Sequence, residues 1–128
     1  MSYRENKLSA SAIKYLLTIS DLCKDGNGVR CIAISSELKV TKPSAHHMIQ
    51  CLCDAGLAER ERYGAVYLTE DGFEAAKIYK SCYDTLFKQI KNVVSLDDNG
   101  CRNAACAALE QIADCLMQPA AQKGVQND

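Results

Sequence analysis

The chain has 128 residues, which suits one compact domain or a small domain with a helical appendage. Hydrophobic residues make up 48% and charged residues 24%, so a packed core is expected and disorder only at the ends; aromatics are 6% with no tryptophan, which argues against a cleft of stacked rings. The net charge of −1 gives no general attraction for phosphate, so any contact with nucleic acid must come from a local face. No apolar run approaches the roughly 18–20 residues needed to cross a bilayer. The opening MSYRENKLSA does not read as a signal peptide, so a cytoplasmic protein with reduced thiols and no membrane contact is expected.

Along the chain, Ala12, Leu16, Ile19 and Cys23 recur on one face of a helix, which the turn-forming KDGNG ends. Val29, Cys31 and Ile32 lead into a short helix over about Ile32–Leu38. Val40 is an apolar plug in a tight turn, and Thr41 is a good N-cap with Pro43 in the first turn behind it. A helix over about Lys42–Asp54 then ends before Gly56, a C-cap glycine. Two helices joined by a few residues in this way make a helix-turn-helix. The run LAERERYGAVYLT predicts two short strands around a turn near Tyr63 and Gly64, a wing. Thr69 with Glu70 and Asp71 starts a long helix of roughly Gly72–Asn92, which carries Ala75, Tyr79, Cys82, Leu86, Ile90 and Val93 along one stripe. After a break at SLDDNG, a last helix carries Cys101, Ala105, Ala108, Ile112 and Cys115 on one face.

The expected fold is therefore mainly α: a winged helix-turn-helix of three helices and a two-stranded β wing over residues 1–71. A linker helix and dimerisation helix follow over 72–118, then a frayed tail over 119–128. The two last helices carry apolar stripes with no third layer to cover them, so pairing with a second copy is expected.

A helix-turn-helix presents the N-terminal part of its second helix to base edges in the major groove. That part offers Thr41, Lys42, Ser44, His46, His47 and Gln50, and Arg60, Arg62 and Tyr63 in the hairpin can reach the sugar-phosphate backbone. The expected partner is a double-stranded DNA operator. Each of these residues is also an ordinary solvated position, and only their combination points to DNA. The surroundings are nearly neutral, with Arg30, Lys39, Lys42, Arg60 and Arg62 set against Glu37, Asp54, Glu59 and Glu61. A protein-interaction module with the same shape is thus an alternative. His46 and His47 are adjacent on a helix and point apart, and neither is expected to face Cys51, so metal binding or catalysis there is disfavoured. No Gly-rich phosphate loop, nucleophile elbow or acid/base pair is present, and no enzyme is expected.

From about Ser11 to Gln118, best in VRCIAISSELKVTKPSAHHM and LCDAGLAERERYGAVYLTEDGFEAAKIY, the chain resembles the diphtheria toxin repressor and manganese-transport regulator family. The resemblance implies a winged-helix repressor that pairs through its C-terminal helices on a palindromic operator. It also implies Mn(II) or Fe(II) held between the first, linker and last helices. The implied ligand positions are mostly replaced: Lys14 and Leu17 flank Tyr15 in the first helix, and Tyr83 stands at the linker-helix histidine with Cys82 beside it. In the last helix the positions become Ala107, Glu110 and Gln111, with Cys106 out of register. Cys82, Cys106 and Glu110 are the remaining metal-ligand candidates. Mn(II) and Fe(II) want several hard donors, so the residues argue against the implied cofactor, and Lys14 is expected to pair with Glu110 in its place.

Eight cysteines are present without a C-x-x-C pair. Cys23, Cys82, Cys101 and Cys115 fall on predicted core faces, where a thiol packs as a small hydrophobe. The alternative gathers Cys82, Cys101, Cys106 and Cys115 into a soft-metal or iron–sulfur site or a redox-switchable disulfide.

Overall fold

A computed structural model describes residues 8–23, 27–61 and 64–116, with side chains up to residue 113. Part of the KDGNG turn, Arg62, Tyr63, the Cys115 side chain and the tail lie outside the described residues.

The first helix, α1 (Ala10–Leu22), is capped by Ser9, whose Oγ accepts from the Ala12 N–H at 3.1 Å. The predicted stripe Ala12, Leu16, Ile19 and Cys23 is buried, but so are Ile13, Tyr15, Leu17 and Thr18. A helix buried around most of its circumference is a central element rather than a surface one. It packs against every other helix and β3 (Ala65–Leu68).

The chain then forms β1 (Val29–Arg30) and α2 (Cys31–Leu38). Lys39 ends α2 in the left-handed region at φ 57°, an uncommon position for a residue with a Cβ. It turns the backbone so that Val40 N–H donates back to Ser35 O at 3.0 Å, and Val40 packs against the core as the predicted plug. Thr41 caps α3 (Lys42–Asp54), its Oγ1 accepting from Ser44 N–H at 3.2 Å, with Pro43 in the first turn. At the far end Gly56 adopts φ 81°, Gly56 N–H donates to Cys53 O and Leu57 N–H to Leu52 O, each at 3.0 Å. This is the glycine-closed helix end foreseen from sequence.

The hairpin is β2 (Ala58–Arg60) with β3, paired antiparallel as Ala58 with Leu68 and Arg60 with Val66. A third strand joins it: β1 pairs antiparallel with β3, Val29 opposite Val66, in the order β1-β3-β2. The sequence predicts only two strands here. Two residues are too short to show an alternating pattern, and β1 owes its pairing to the tertiary position of the turn before α2.

Thr69 stands at the corner where three elements meet. Its Oγ1 accepts from Gly72 N–H at 3.0 Å, capping α4 (Glu70–Val93), and donates to Gly56 O at 2.7 Å, while its own N–H donates to Leu57 O at 3.1 Å. Gly72 is buried in the first turn, and a Cβ there would overlap the Leu57 carbonyl oxygen. After residues 94–97 the chain turns into α5 (Asp98–Leu116), with Asp97 Oδ1 accepting from Gly100 N–H at 2.7 Å and Lys91 paired with Asp98 across the turn. The helix thus begins inside the predicted break.

The buried face of α5 differs from the predicted one. Cys101 and Ala105 are buried as expected, but Cys106, Leu109 and Ala113 complete the face, leaving Ala108 half-buried and Ile112 40% exposed. The α1 helix lies over a different stripe of α5 from the one hydrophobicity selects. One hydrophobic cluster runs from Leu8 through α1, α2 and α3 to Cys106, Leu109 and Ala113, so helices from both sides of residue 71 share a core. None of the described helices is long and apolar enough to cross a membrane.

Gly72→Ala should destabilise the protein by about 3 kcal/mol, because the methyl group meets a backbone carbonyl that cannot swing aside. Chemical denaturation of the pure variant checks this; a change of under about 1 kcal/mol would mean that the α3–α4 corner is more pliant than its contacts indicate.

Candidate nucleic-acid interface and the interhelix junction

Ala45, Ile49 and Leu52 anchor the inner side of α3 with no exposed surface. Opposite them Thr41, Lys42, Ser44, His46, His47 and Gln50 are all exposed. The first turn of α3 has no acidic residue, so the positive end of the helix and the Lys42 ammonium act in the same direction on an approaching phosphate. Gln50 is engaged, its Nε2 donating to Asp54 Oδ1 at 2.9 Å, and this bond must open before its amide can pair with a base.

The hairpin is tied to the same helix. Arg60 Nη2 donates to His46 O at 3.3 Å, so its guanidinium lies against the flank of α3. Arg60 also pulls down the Cys53 thiol, which burial pushes up overall. The structure thus brings seven predicted contact residues onto one surface. Arg62 and Tyr63, at the hairpin tip, lie outside the described residues.

His47 and Cys51 require a correction. They are four residues apart and share a helix face, with His47 Nε2 3.8 Å from Cys51 Sγ. The expectation that they face apart fails because residues four apart on a helix lie one above the other. Among the described residues, no three His, Cys, Asp or Glu side chains come together as a metal-ligand set, so the pair stays a pair. The same finding applies to Cys82, Cys101 and Cys106, which do not gather into a cluster site. Cys101 instead has its Sγ 3.8 Å from Leu96 O, and Cys82 lies half-buried on α4. The described cysteines are free thiols.

A second feature is a cavity of about 230 Å³ between α1, α2, α4 and α5, bounded by Lys14, Asp21, Glu37, Tyr83, Arg102 and Cys106. Lys14 and Tyr83 stand at or beside positions where the family resemblance implies metal ligands, and Cys106 lies one place out of register with another. The expected Lys14–Glu110 pair is absent. Glu110 Oε1 accepts from Ala10 N–H at 3.0 Å at the start of α1, where a carboxylate complements the helix dipole, and Lys14 Nζ donates to Asn103 Oδ1 at 3.1 Å. The two α5 residues seven apart meet two α1 residues four apart, so each takes a different partner.

The residues present do not fit Mn(II) or Fe(II). Glu110 is spent on a backbone N–H, and the Cys106 thiol is pushed up to about 11, chiefly by burial and despite Lys14 and Arg102. A metal taking this thiol would have to displace its proton from a buried site. Burial likewise raises the Tyr83 phenol. The carboxylates at the cavity are already paired, Asp21 with Lys80 at 3.5 Å and Glu37 with Arg102 at 3.4 Å.

An exposed, N-capped second helix with a hairpin fastened to its flank defines a winged helix-turn-helix protein. Residues 7–66 match the family described as iron dependent repressor, N-terminal DNA binding domain. Over that stretch, just under half of its length, the chain is similar to the DNA-binding domain of that repressor family. Among solved structures, it is similar to the hypothetical protein SSo2273 from Sulfolobus solfataricus, with a TM-score of 0.58 and 22% identity over 94% of this chain and 88% of that one. IdeR from T. acidophilum gives a TM-score of 0.58 and 22% identity over 77% of this chain and 46% of that one. No curated protein matches.

Exposure and burial order the thiols. N-ethylmaleimide on the native protein should modify Cys51 first and leave Cys23, Cys101 and Cys106 intact until unfolding. Peptide mass spectrometry over time checks the order, and early labelling of Cys106 would mean that the α1–α5 seam opens readily.

Proposed function

We propose that the protein is a DNA-binding transcriptional regulator, a repressor acting in the cytoplasm as a homodimer on a palindromic operator. The observation that carries this is the surface of α3: its apolar side is consumed by the core, and its Lys42–Gln50 side is exposed, with no element covering it among the described residues. Lys42 and the helix N-terminus contact phosphate, Ser44, His46, His47 and Gln50 read base edges, and Thr41 sets the helix start. Arg60 holds the hairpin beside the groove, and Arg62 and Tyr63 extend it along the backbone. The role is one of binding, not catalysis.

Support for pairing comes from the C-terminal helices. Val93, Val94 and Leu96 are 78%, 44% and 45% exposed, and Leu86, Phe87 and Ile90 are only half-buried beside them. A second copy seated on this patch covers apolar surface that a monomer leaves wet. Two recognition helices then meet successive major grooves about 34 Å apart.

Lys42→Ala and Gln50→Ala should each weaken binding to a selected palindromic duplex by about 5–30-fold, measured by fluorescence anisotropy, with the dimer unchanged in sedimentation. Lys42→Ala should also lower the slope of log affinity against log salt by about 1. Affinity that ignores salt, or duplex binding that survives both substitutions, would favour a winged helix that binds protein instead. Val93→Glu should shift the chain toward monomer and weaken duplex binding with it; a dimer indifferent to this charge places the interface elsewhere.

A further inference from the structure

We infer that Lys14 and Arg102 do, as fixed side-chain cations, what a divalent metal would do at the α1–α2–α4–α5 junction, so that the protein binds its operator without a metal. This rests on the DNA-binding reading above and adds how the DNA-binding half is held to the C-terminal helices.

The contacts form a seam with a regular register. On α5, Asn103, Cys106 and Glu110 are spaced three and four residues apart, which places them one above the other on a single stripe. Facing them on α1 are Ala10 and Lys14, one turn apart. Glu110 takes the Ala10 N–H and Asn103 takes the Lys14 ammonium, so the two helices are fastened at both ends of the stripe in antiparallel order. Between the fasteners Cys106 is buried, filling the seam as a small apolar group. Arg102, beside Asn103, reaches the other way and pairs with Glu37 in α2, the first helix of the helix-turn-helix. One turn of α5 therefore grips both α1 and α2.

The charges decide which kind of group suits the cavity. Among the described residues Lys14 has no carboxylate partner; its ammonium is held by a neutral amide. The Arg102 side chain is only 24% exposed, so its charge is less screened than a surface one. A divalent cation entering here meets two resident positive charges and finds its carboxylates occupied. The seam closes through its own side chains, and the carboxylate charges at the cavity are balanced without a metal.

The full-length chain, stripped with EDTA, is titrated with Mn(II) and, anaerobically, Fe(II), using calorimetry and thermal melting without DNA. No micromolar binding and an unmoved melting temperature at about 100 μM metal are expected. Separately, duplexes are selected from a random pool in EDTA and in Mn(II), and the affinity of the EDTA-selected duplex should be the same in both. Lys14→Met and Arg102→Met should each lower that affinity by about fivefold or more, with no recovery on adding Mn(II), and Lys14→Arg should keep it. Micromolar metal binding, a melting temperature raised by metal, affinity raised tenfold or more by metal, or full affinity in both methionine variants would overturn the inference. If no duplex is selected in either condition, the DNA-binding reading fails, while calorimetry and melting still decide whether the junction takes a metal.

Discussion

The corner built by Thr69 and Gly72 is the constraint on which the arrangement of the molecule depends. One threonine side chain caps α4, donates to the glycine carbonyl that follows α3, and its backbone N–H holds the first residue after that glycine. The absence of a side chain at Gly72 lets the new helix press directly on that backbone. The end of α3, the closing strand of the hairpin and the beginning of α4 are thereby fixed within a few residues of one another. The direction of α3 relative to α4 is set at this corner by hydrogen bonds and close contact rather than by a large apolar area.

The second constraint is the burial of α1. It separates the helix-turn-helix from the C-terminal helices and touches both, so its apolar residues serve two sides at once. Ile13, Leu16 and Ile19 are fully buried, which no single-faced helix at a surface would need. Any shift of α5 against α1 would therefore be passed on to α2 and α3 through side chains packed on both. The polar seam along Ala10, Lys14, Asn103 and Glu110 lies where that shift would occur.

The parts legible in the sequence are those decided by local chemistry. Thr41 and Thr69 are threonines followed by N–H groups that need an acceptor, and Gly56 stands where a helix must reverse. Each marks its boundary without knowledge of the rest of the chain. The exposed face of α3 was legible for a similar reason, since Ala45, Ile49 and Leu52 leave only one side for polar groups. What escaped depends on distant partners. The pairing of Val29 and Arg30 is decided by β3, more than thirty residues away. Apart from Leu109 the buried stripe of α5 is built from alanines and cysteines, whose small surfaces give a faint hydrophobic signal, so Ile112 outweighs Ala113 although only the latter is inside. The partners of Lys14 and Glu110 follow from the relative register of α1 and α5, which no motif encodes. The link between His47 and Cys51 was available from helix geometry alone and needed only four positions to be counted.

The small side chains of α5 carry a mechanical consequence. With Cys101, Ala105 and Ala113 turned inward, the last helix meets its neighbours through small side chains, and a bulkier one there would act as a wedge. The sulfur here is a spacer of the right thickness. An adduct on these thiols can form only once the layers have come apart, so chemistry at the buried cysteines would report that the structure has already opened rather than cause it to open.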